Sequence, residues 1–340
     1  MSIIHRIEML QNIIGTDAGG RGMKSLIVPG DLVEACRVLG SISSTAAGDA
    51  DDNGIIIVMS GFPCCVNEFP PTETDGPPGA CAIARAALAL GEASHHKVVL
   101  VTDDCNATVF MTAASDLLQS FPTRFSIQSF PPVFIDIDEA RLHALVQHCR
   151  LLIACERAGP AKNGVCYTMR GIDMTTAGLI APLHRLVLET KARHHHNVPF
   201  IAIGDGGNEL GMGKVIDKII SNPEIPDGDK IGCIVPSDYL IASSVSNWGG
   251  YALAAGAALV RAEHEAMAGT PGTTPSELVQ VWLGKCLPSE QHEIDLLNRC
   301  VSAGCRDGVS GKAEPTVDGM PLERSLACLR DLRAAALGQE

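Results

Sequence analysis

The sequence predicts an α/β fold, a doubly wound and mostly parallel sheet with helices on both faces, followed by a helical C-terminal segment. Three observations predict it. Apolar, β-rich runs recur along the 340 residues (GIIIVMSGF, KVVLVTD, PVFIDI, RLLIACE, PFIAIGDGG, KIGCIVPSD), and several are almost uninterrupted, as in parallel strands covered on both sides. Segments with helical patterning lie between them, which gives the strand–helix–strand spacing of such sheets. Polar, glycine-rich clusters follow the carboxyl ends of the runs, where a doubly wound sheet opens its ligand crevice.

Taken in order, the opening MSIIHRIEMLQNII carries acid as well as base and reads as an amphipathic helix, not a signal peptide. AAGDADDNG, Ala46–Gly54, reads as a surface excursion. Helices are expected around Gly79–Gly91, Asn106–Gln119, Asp138–Cys149 and Gly178–His195. LAAGAALV is rich in small residues and far shorter than the roughly 20 residues of a membrane span, so it is a packed helix. AGTPGTTPSE, Ala268–Glu277, separates an α/β core of about residues 1–266 from a helical segment of about residues 275–340, with Ser276 as the cap. The whole chain, 1–340, reads as one domain, without internal repeats.

Composition narrows the chemistry. A 46% hydrophobic share with 4% aromatics, 34 glycines and 20 prolines implies a core of Ala, Val, Leu and Ile with many turns. The net charge of −13 argues against a nucleic-acid partner but leaves room for a small anionic metabolite held by a few arginines in one pocket. The 13 cysteines are odd in number and contain no C-x-x-C pair, so reduced thiols in an intracellular compartment are expected, with Cys64–Cys65 the one adjacent pair. Cytoplasm and mitochondrial matrix both fit, and no clear targeting segment decides between them.

The clusters behind the strands carry the candidate site. In IAIGDGGNELGMGK, glycines let the chain turn and approach a ligand, while Asp205, Asn208 and Glu209 offer metal ligands or proton-transfer groups; a capped turn is the competing reading. A long Pro-rich loop brings Glu73 and Asp75 to the start of the helix opened by Gly79, where both can also serve simply as helix-dipole partners. ACERAGPAKNGVCYTMRGIDMT supplies Arg170, a guanidinium suited to clamp a carboxylate, and Asp173. Glu156 and Arg157 leave the preceding strand and can equally form a surface ion pair. PSDYLIASSVSNWGG adds Asn247 and Trp248, the latter a pocket wall or equally a core residue, and AGCRDGVSGKAEPTVDG adds Asp307, Lys312 and Asp318, which either close over the site or form a structured turn. The consecutive His194–His196 point apart and hold no common ion. No Ser-His-Asp order, zinc spacing, G-x-S-x-G elbow or Walker loop is present.

ETDGPPGA, MRGIDMT, GDGGNELGMG and RDGVSGKAEPTVDG, in that order, together with GGRGMKSL near the start, resemble the cyclase-like C-terminal domain of the D-glutamate cyclase family over roughly His5–Leu332. The resemblance implies a lyase that closes D-glutamate to 5-oxo-D-proline with loss of water, assisted by a divalent cation (Mg²⁺ or Mn²⁺) and no organic cofactor. It implies a mitochondrial setting for some eukaryotic members.

The residues suit that chemistry. An amine attacking a carboxylate needs charge neutralisation, a base for the ammonium proton and an acid for the departing oxygen. The expected catalytic set is Asp205, Glu209, Asp173 and Glu73, with Asp205 and Glu209 as metal ligands. Arg170, Asp75, Gly79, Gly206, Gly207, Asn208 and Asn247 are expected to bind substrate. The partner is a small anionic amino acid; nucleic acid and membrane are not expected, and a homo-oligomer is compatible with the sequence. Two rivals remain: a haloacid-dehalogenase-like phosphatase, with FIDIDEA resembling its D-x-D start (Asp136) and GDGGNE its late metal-binding G-D-G-x-N-D, and a non-catalytic amino-acid sensor.

Overall fold

The computed structural model describes residues 1–42, 54–269 and 273–339. The predicted excursion Ala46–Gly54 lies outside them except for Gly54, as do Thr270–Gly272 of the predicted divider.

The chain opens with helices α1 (Ile3–Ile14) and α2 (Asp31–Gly40), and then alternates strand and helix. In order come β1 (Ile55–Gly61), α3 (Pro77–Leu90), β2 (Lys97–Asp103), α4 (Ala107–Ala113), α5 (Ser115–Ser120), β3 (Phe125–Phe130), α6 (Asp136–His148), β4 (Cys149–Arg157), α7 (His184–Arg193) and β5 (Phe200–Gly204). The short helices α8 (Ile216–Ser221) and α9 (Gly228–Ile231) precede β6 (Tyr239–Ala242) and the long α10 (Ser246–Met267). The six strands are all parallel, in the order β3-β2-β1-β4-β5-β6. Strand order therefore reverses between β1 and β4, the position at which sheets of this kind open a crevice.

Alternation along each strand builds two apolar layers. Ile56 and Val58 of β1, Ile153 of β4 and Ile203 of β5 join the layer containing α1, α2, α3 and α10. Ile57, Met59, Leu152 and Ala202 face the opposite layer, built on α6 and α7. Burial on both faces explains why the strand sequences are nearly unbroken apolar runs.

α11 (Pro275–Cys286), α12 (Glu290–Ser302) and α13 (Leu322–Leu337) follow, with a small antiparallel ribbon of β7 (Thr316–Val317) and β8 (Met320–Pro321) before α13. Trp282, Leu297 and Leu329 of these helices pack into the first apolar layer, so the C-terminal segment completes the core.

Several expected elements move. PVFIDI is not a strand: Phe125–Phe130 is, and Pro131–Pro132 follow because proline cannot continue a ladder. Asp136 instead opens α6, where the Asp138 carboxylate accepts from the Ile135 N–H at 3.2 Å. A phosphatase D-x-D nucleophile would have to leave a strand end, so this placement removes the first of the two motifs on which that rival rested. KIGCIVPSD likewise gives a helical turn and irregular chain, and β6 begins after it, at Tyr239. The Asn106–Gln119 helix breaks at Ala114, and the Gly178–His195 helix begins only at His184. Thr274, not Ser276, caps α11: its hydroxyl accepts from Glu277 N, and Glu277 returns the bond to Thr274 N at 2.7 Å.

One contact ties the crevice to the core. Asp75, just before α3, accepts from the Ser246 and Asn247 N–H groups at the start of α10, both at 2.8 Å. Asn247 in turn accepts from Gly76 N and Gly79 N at 2.9 and 2.8 Å, and donates to the Thr74 carbonyl at 3.1 Å. Each helix thus caps the other. The approach is so close that a Cβ on Gly79 would fall 2.8 Å from Asn247 Cα. Replacing Asn247 by alanine strands the buried Gly79 N–H and the Thr74 carbonyl and leaves Gly76 N–H only its bond to Asp75 Oδ1 at 3.0 Å, which is expected to lower unfolding free energy by about 2–4 kcal/mol. Urea denaturation followed by circular dichroism measures this, and an unchanged midpoint would deny the cap its structural weight.

Candidate active site

The crevice above β1, β4 and β5 is built from five separated stretches. Glu156 stands at the last turn of β4 with a left-handed φ of 45°, a strained conformation for a non-glycine residue that is held by its surroundings. The loop after β1 delivers Glu73 and Asp75, and the turn after β5 delivers Asp205. Arg21 comes from the loop after α1, where Asp17 accepts from the Arg21 and Gly22 N–H groups at 3.0 and 3.1 Å. Asp318, at the tip of the C-terminal ribbon with φ 54°, closes the opposite side. The enclosed cavity measures about 230 Å³, small beside the roughly 300–1,000 Å³ of pockets for drug-sized ligands.

Its electrostatics are dominated by crowded, buried acid. One carboxylate oxygen each from Asp75, Glu156 and Asp205 lies within 4.8 Å of the others. Arg21 Nη2 bridges Asp205 and Asp318 at 2.7 Å each. Burial and Asp318 push Asp75 up to about 7, against the pull of the Asn247 and Ser246 N–H groups and of Arg21. Burial first, then the neighbouring acids Glu209, Asp75 and Glu73, hold the Glu156 carboxyl well above its usual range. Asp205 is also raised by burial, with Arg21 opposing, and Glu73 by burial together with Asp318 and Asp75. Three clustered oxygen donors carrying mutual repulsion fit a hard divalent cation, which would replace the protons that otherwise keep the group near neutral.

Residues 10–333 match the family described as "D-glutamate cyclase-like, C-terminal". The chain belongs to that family. It is also 32% identical over 341 residues to the Homo sapiens protein "D-glutamate cyclase, mitochondrial", a match covering 96% of this chain and 51% of that protein. The chain therefore spans about half the length of the curated relative it matches.

Within this cyclase-like chain, the expected site residues divide. Asp205, Glu73, Asn208, Glu209 and Arg170 line the cavity. Asp75 joins the acid cluster from behind the wall. Glu209 does not join that cluster: its Oε1 accepts from Asp205 N and Gly206 N at 2.9 and 2.6 Å, and its Oε2 from Gly207 N at 2.6 Å. Both oxygens hold the glycine turn; the carboxylates that lie together as a possible cation seat are those of Asp75, Glu156 and Asp205, so of the expected pair only Asp205 belongs to that group. The same bonds occupy the Gly206 and Gly207 N–H groups, while Asn208 donates to the Tyr167 carbonyl at 2.7 Å. Gly79 N and Asn247 are spent on the mutual helix cap, which removes the α3 N-terminus as a carboxylate seat. Asp173 closes a turn on Thr176 (2.8 Å to its N, 2.6 Å to its Oγ1) and is not among the cavity-lining residues. Arg170 is exposed and donates to the Val309 carbonyl at 3.0 Å, tying two loops over the cavity.

Glu156 and Arg157 are no surface pair. Both are buried; Glu156 accepts from Ser246 Oγ at 2.6 Å, and Arg157 pairs with Asp103 and donates to the Ala181 carbonyl at 2.9 Å. Trp248 is core, its indole N–H on Ser325 Oγ at 3.0 Å. Sequence reasoning gave no role to Arg21, although it lies in GGRGMKSL, and left Asp318 undecided between site and turn.

The raised carboxyls fix a sign for pH dependence. The folded chain holds protons that the unfolded chain has already lost, so this cluster's contribution to stability is present at low pH. For Asp75 it is lost as pH climbs from the ordinary aspartate value of 3.8 through about 7, and the raised Glu156 and Asp205 act with the same sign. Glu156→Gln removes one of the charges, and its Tm relative to the parent protein is expected to rise across that window. Mg²⁺ or Mn²⁺ should raise the parent's Tm more at pH 8 than at pH 5. Scanning fluorimetry at both pH values checks this, and a pH-independent difference would contradict it.

Proposed function

We propose that this chain acts as a D-glutamate cyclase, a lyase that converts D-glutamate to 5-oxo-D-proline and water, with its 340 residues working as one cyclase-like domain. The observation that carries the reading is the buried Asp75–Glu156–Asp205 cluster beside Arg21 in a small cavity at the sheet's switch point, in a chain of this family. The name of the human relative supports the substrate.

In the reaction, the amine nitrogen bonds to the γ-carboxyl carbon, one C–O bond breaks, and the oxygen leaves as water. The ammonium group gives up two protons and the departing oxygen gains two, so the site must accept and return protons near neutrality. Carboxyls raised above their usual range by burial are suited to exchanging protons, Asp205 and Glu156 as acceptors and Glu73 as donor. Arg21, already between Asp205 and Asp318, is placed to orient the substrate's α-carboxylate, with Arg170 at the mouth. Mg²⁺ or Mn²⁺, held by Asp75, Glu156 and Asp205, would supply Lewis acidity at the γ-carboxylate. Fixing both carboxylates leaves the amine of one enantiomer within reach of the reacting carbon, which accounts for D over L.

Purified protein with Mg²⁺ or Mn²⁺ is expected to form 5-oxoproline from D-glutamate without ATP, and faster than from L-glutamate. Asp205→Asn should lower kcat at least about a hundredfold with the fold intact, the scale for losing an acid–base or electrostatic group. Chiral chromatography of the product measures both. Turnover of neither enantiomer with any divalent metal would defeat the reading.

A further inference from the structure

Ten of the thirteen cysteines are buried, and only Cys64, Cys65 and Cys105 are partly exposed. Two of these three are neighbours in the loop after β1. Cys64 and Glu73 both line the cavity, and Cys65 follows Cys64 directly in the chain. Gly308 makes room for this arrangement: a Cβ there would lie 2.0 Å from Glu73 Oε2 and 3.2 Å from Cys64 Sγ. Cys65 stands outside the cavity wall on a pinned backbone, its N–H on the Pro71 carbonyl at 3.0 Å and its carbonyl accepting from Glu68 N at 2.8 Å. Arg306, ion-paired to Glu68 at 2.9 Å, and Arg170 face it.

The two sulfurs are therefore unequal. The Cys64 contact, Arg306 and Arg170 draw the Cys65 thiol below its ordinary range despite burial. Cys64 is pushed up by the same contact, by burial and by Glu73. A thiolate-prone, accessible sulfur beside a protonated neighbour is the arrangement of an attacking and a resolving thiol. Cys105, the third partly exposed cysteine, has its thiol on the Leu179 carbonyl at 3.3 Å and is pushed up to about 12, mainly by burial.

We infer that Cys65 and Cys64 form a hydroperoxide-responsive dithiol whose oxidation shuts the crevice by withdrawing the Cys64 thiol from Glu73. Cys65 thiolate attacks one oxygen of the hydroperoxide, breaking the O–O bond, and the other oxygen leaves and takes a proton as water or an alcohol. Cys65 becomes a sulfenic acid. The Cys64 sulfur then displaces its hydroxyl, the Cys64 proton leaves with it as water, and the sulfur–sulfur bond forms. Two electrons pass from the thiols to the peroxide. The effect on turnover rests on the cyclase reading; the thiol chemistry does not.

The test uses the full chain treated with a small excess of hydrogen peroxide, alkylated under denaturing conditions, digested and weighed. The peptide carrying both cysteines should lose the mass of two hydrogens and escape alkylation, while the ten buried cysteines stay alkylatable. Turnover of D-glutamate should be lost in parallel and return with dithiothreitol. Cys65→Ser should keep basal turnover and resist peroxide, and in Cys64→Ser the Cys65 sulfenic acid should persist and be captured by dimedone. A pair that stays reduced while other cysteines oxidise overturns the inference, as does peroxide loss of turnover unchanged in Cys65→Ser. The peptide masses decide the thiol chemistry even for a protein that turns over no D-glutamate.

Discussion

The exchange of caps between Asp75 and Asn247 is the constraint around which the crevice is organised. Two helices begin at the same point in space, and each needs partners for the N–H groups of its first turn. Asp75 serves α10 and Asn247 serves α3, with bonds of 2.8–2.9 Å on both sides. The arrangement demands backbone contact, so side chains are excluded where the helices touch: a Cβ on Gly250 would lie 2.8 Å from the Gly79 carbonyl oxygen. It also fixes Asp75 at the switch point, and Ser246, the first residue of α10, uses its hydroxyl to hold Glu156. Two of the three clustered carboxylates are thus positioned by one helix start.

That placement sets up an electrostatic contest. Helix N–H groups and Arg21 favour ionised Asp75, whereas burial and neighbouring acids disfavour it, and the balance leaves it near 7. Glu73, Glu156 and Asp205 lack Asp75's two helix N–H partners and are raised by burial and by neighbouring acids. Arg21 cannot neutralise all of them, since its bridging nitrogen is already shared between Asp205 and Asp318. The cluster must therefore hold protons or a cation, and either state is a source of the acidity the proposed chemistry needs.

The sheet was legible because burial on both faces forces apolar runs, and the run positions of β1, β2, β4 and β5 follow directly. β3 and β6 were misplaced, since FSIQSF and the short YLIA have weaker patterns than their apolar neighbours PVFIDI and KIGCIVPSD. The clusters behind the strands were legible for a topological reason, and four of the five stretches that build the crevice contain a residue singled out from sequence. Roles within them were not. Glu209 looks like a ligand in one dimension, but its partners are the N–H groups two to four residues upstream, a fact of turn geometry. Glu156 and Arg157 look like a pair, yet successive strand residues point to opposite faces, so one enters the crevice and the other meets Asp103.

The deepest limit on sequence reading is also a property of the site. Arg21 and Asp318 are 297 positions apart and meet over Asp205, so the cavity is complete only when both end regions of the described chain have docked on the sheet. Neither contact has a local signature: Arg21 sits in a glycine-rich loop and Asp318 in a two-strand ribbon. Their meeting does more than close a wall. Asp205 and Asp318 repel across a shared guanidinium, so a change in Asp205's charge changes how firmly Arg21 holds the ribbon. Proton or cation uptake at the cluster is thereby coupled to the ribbon that encloses it, and the chemistry of the site and the closure of the fold draw on the same ion pairs.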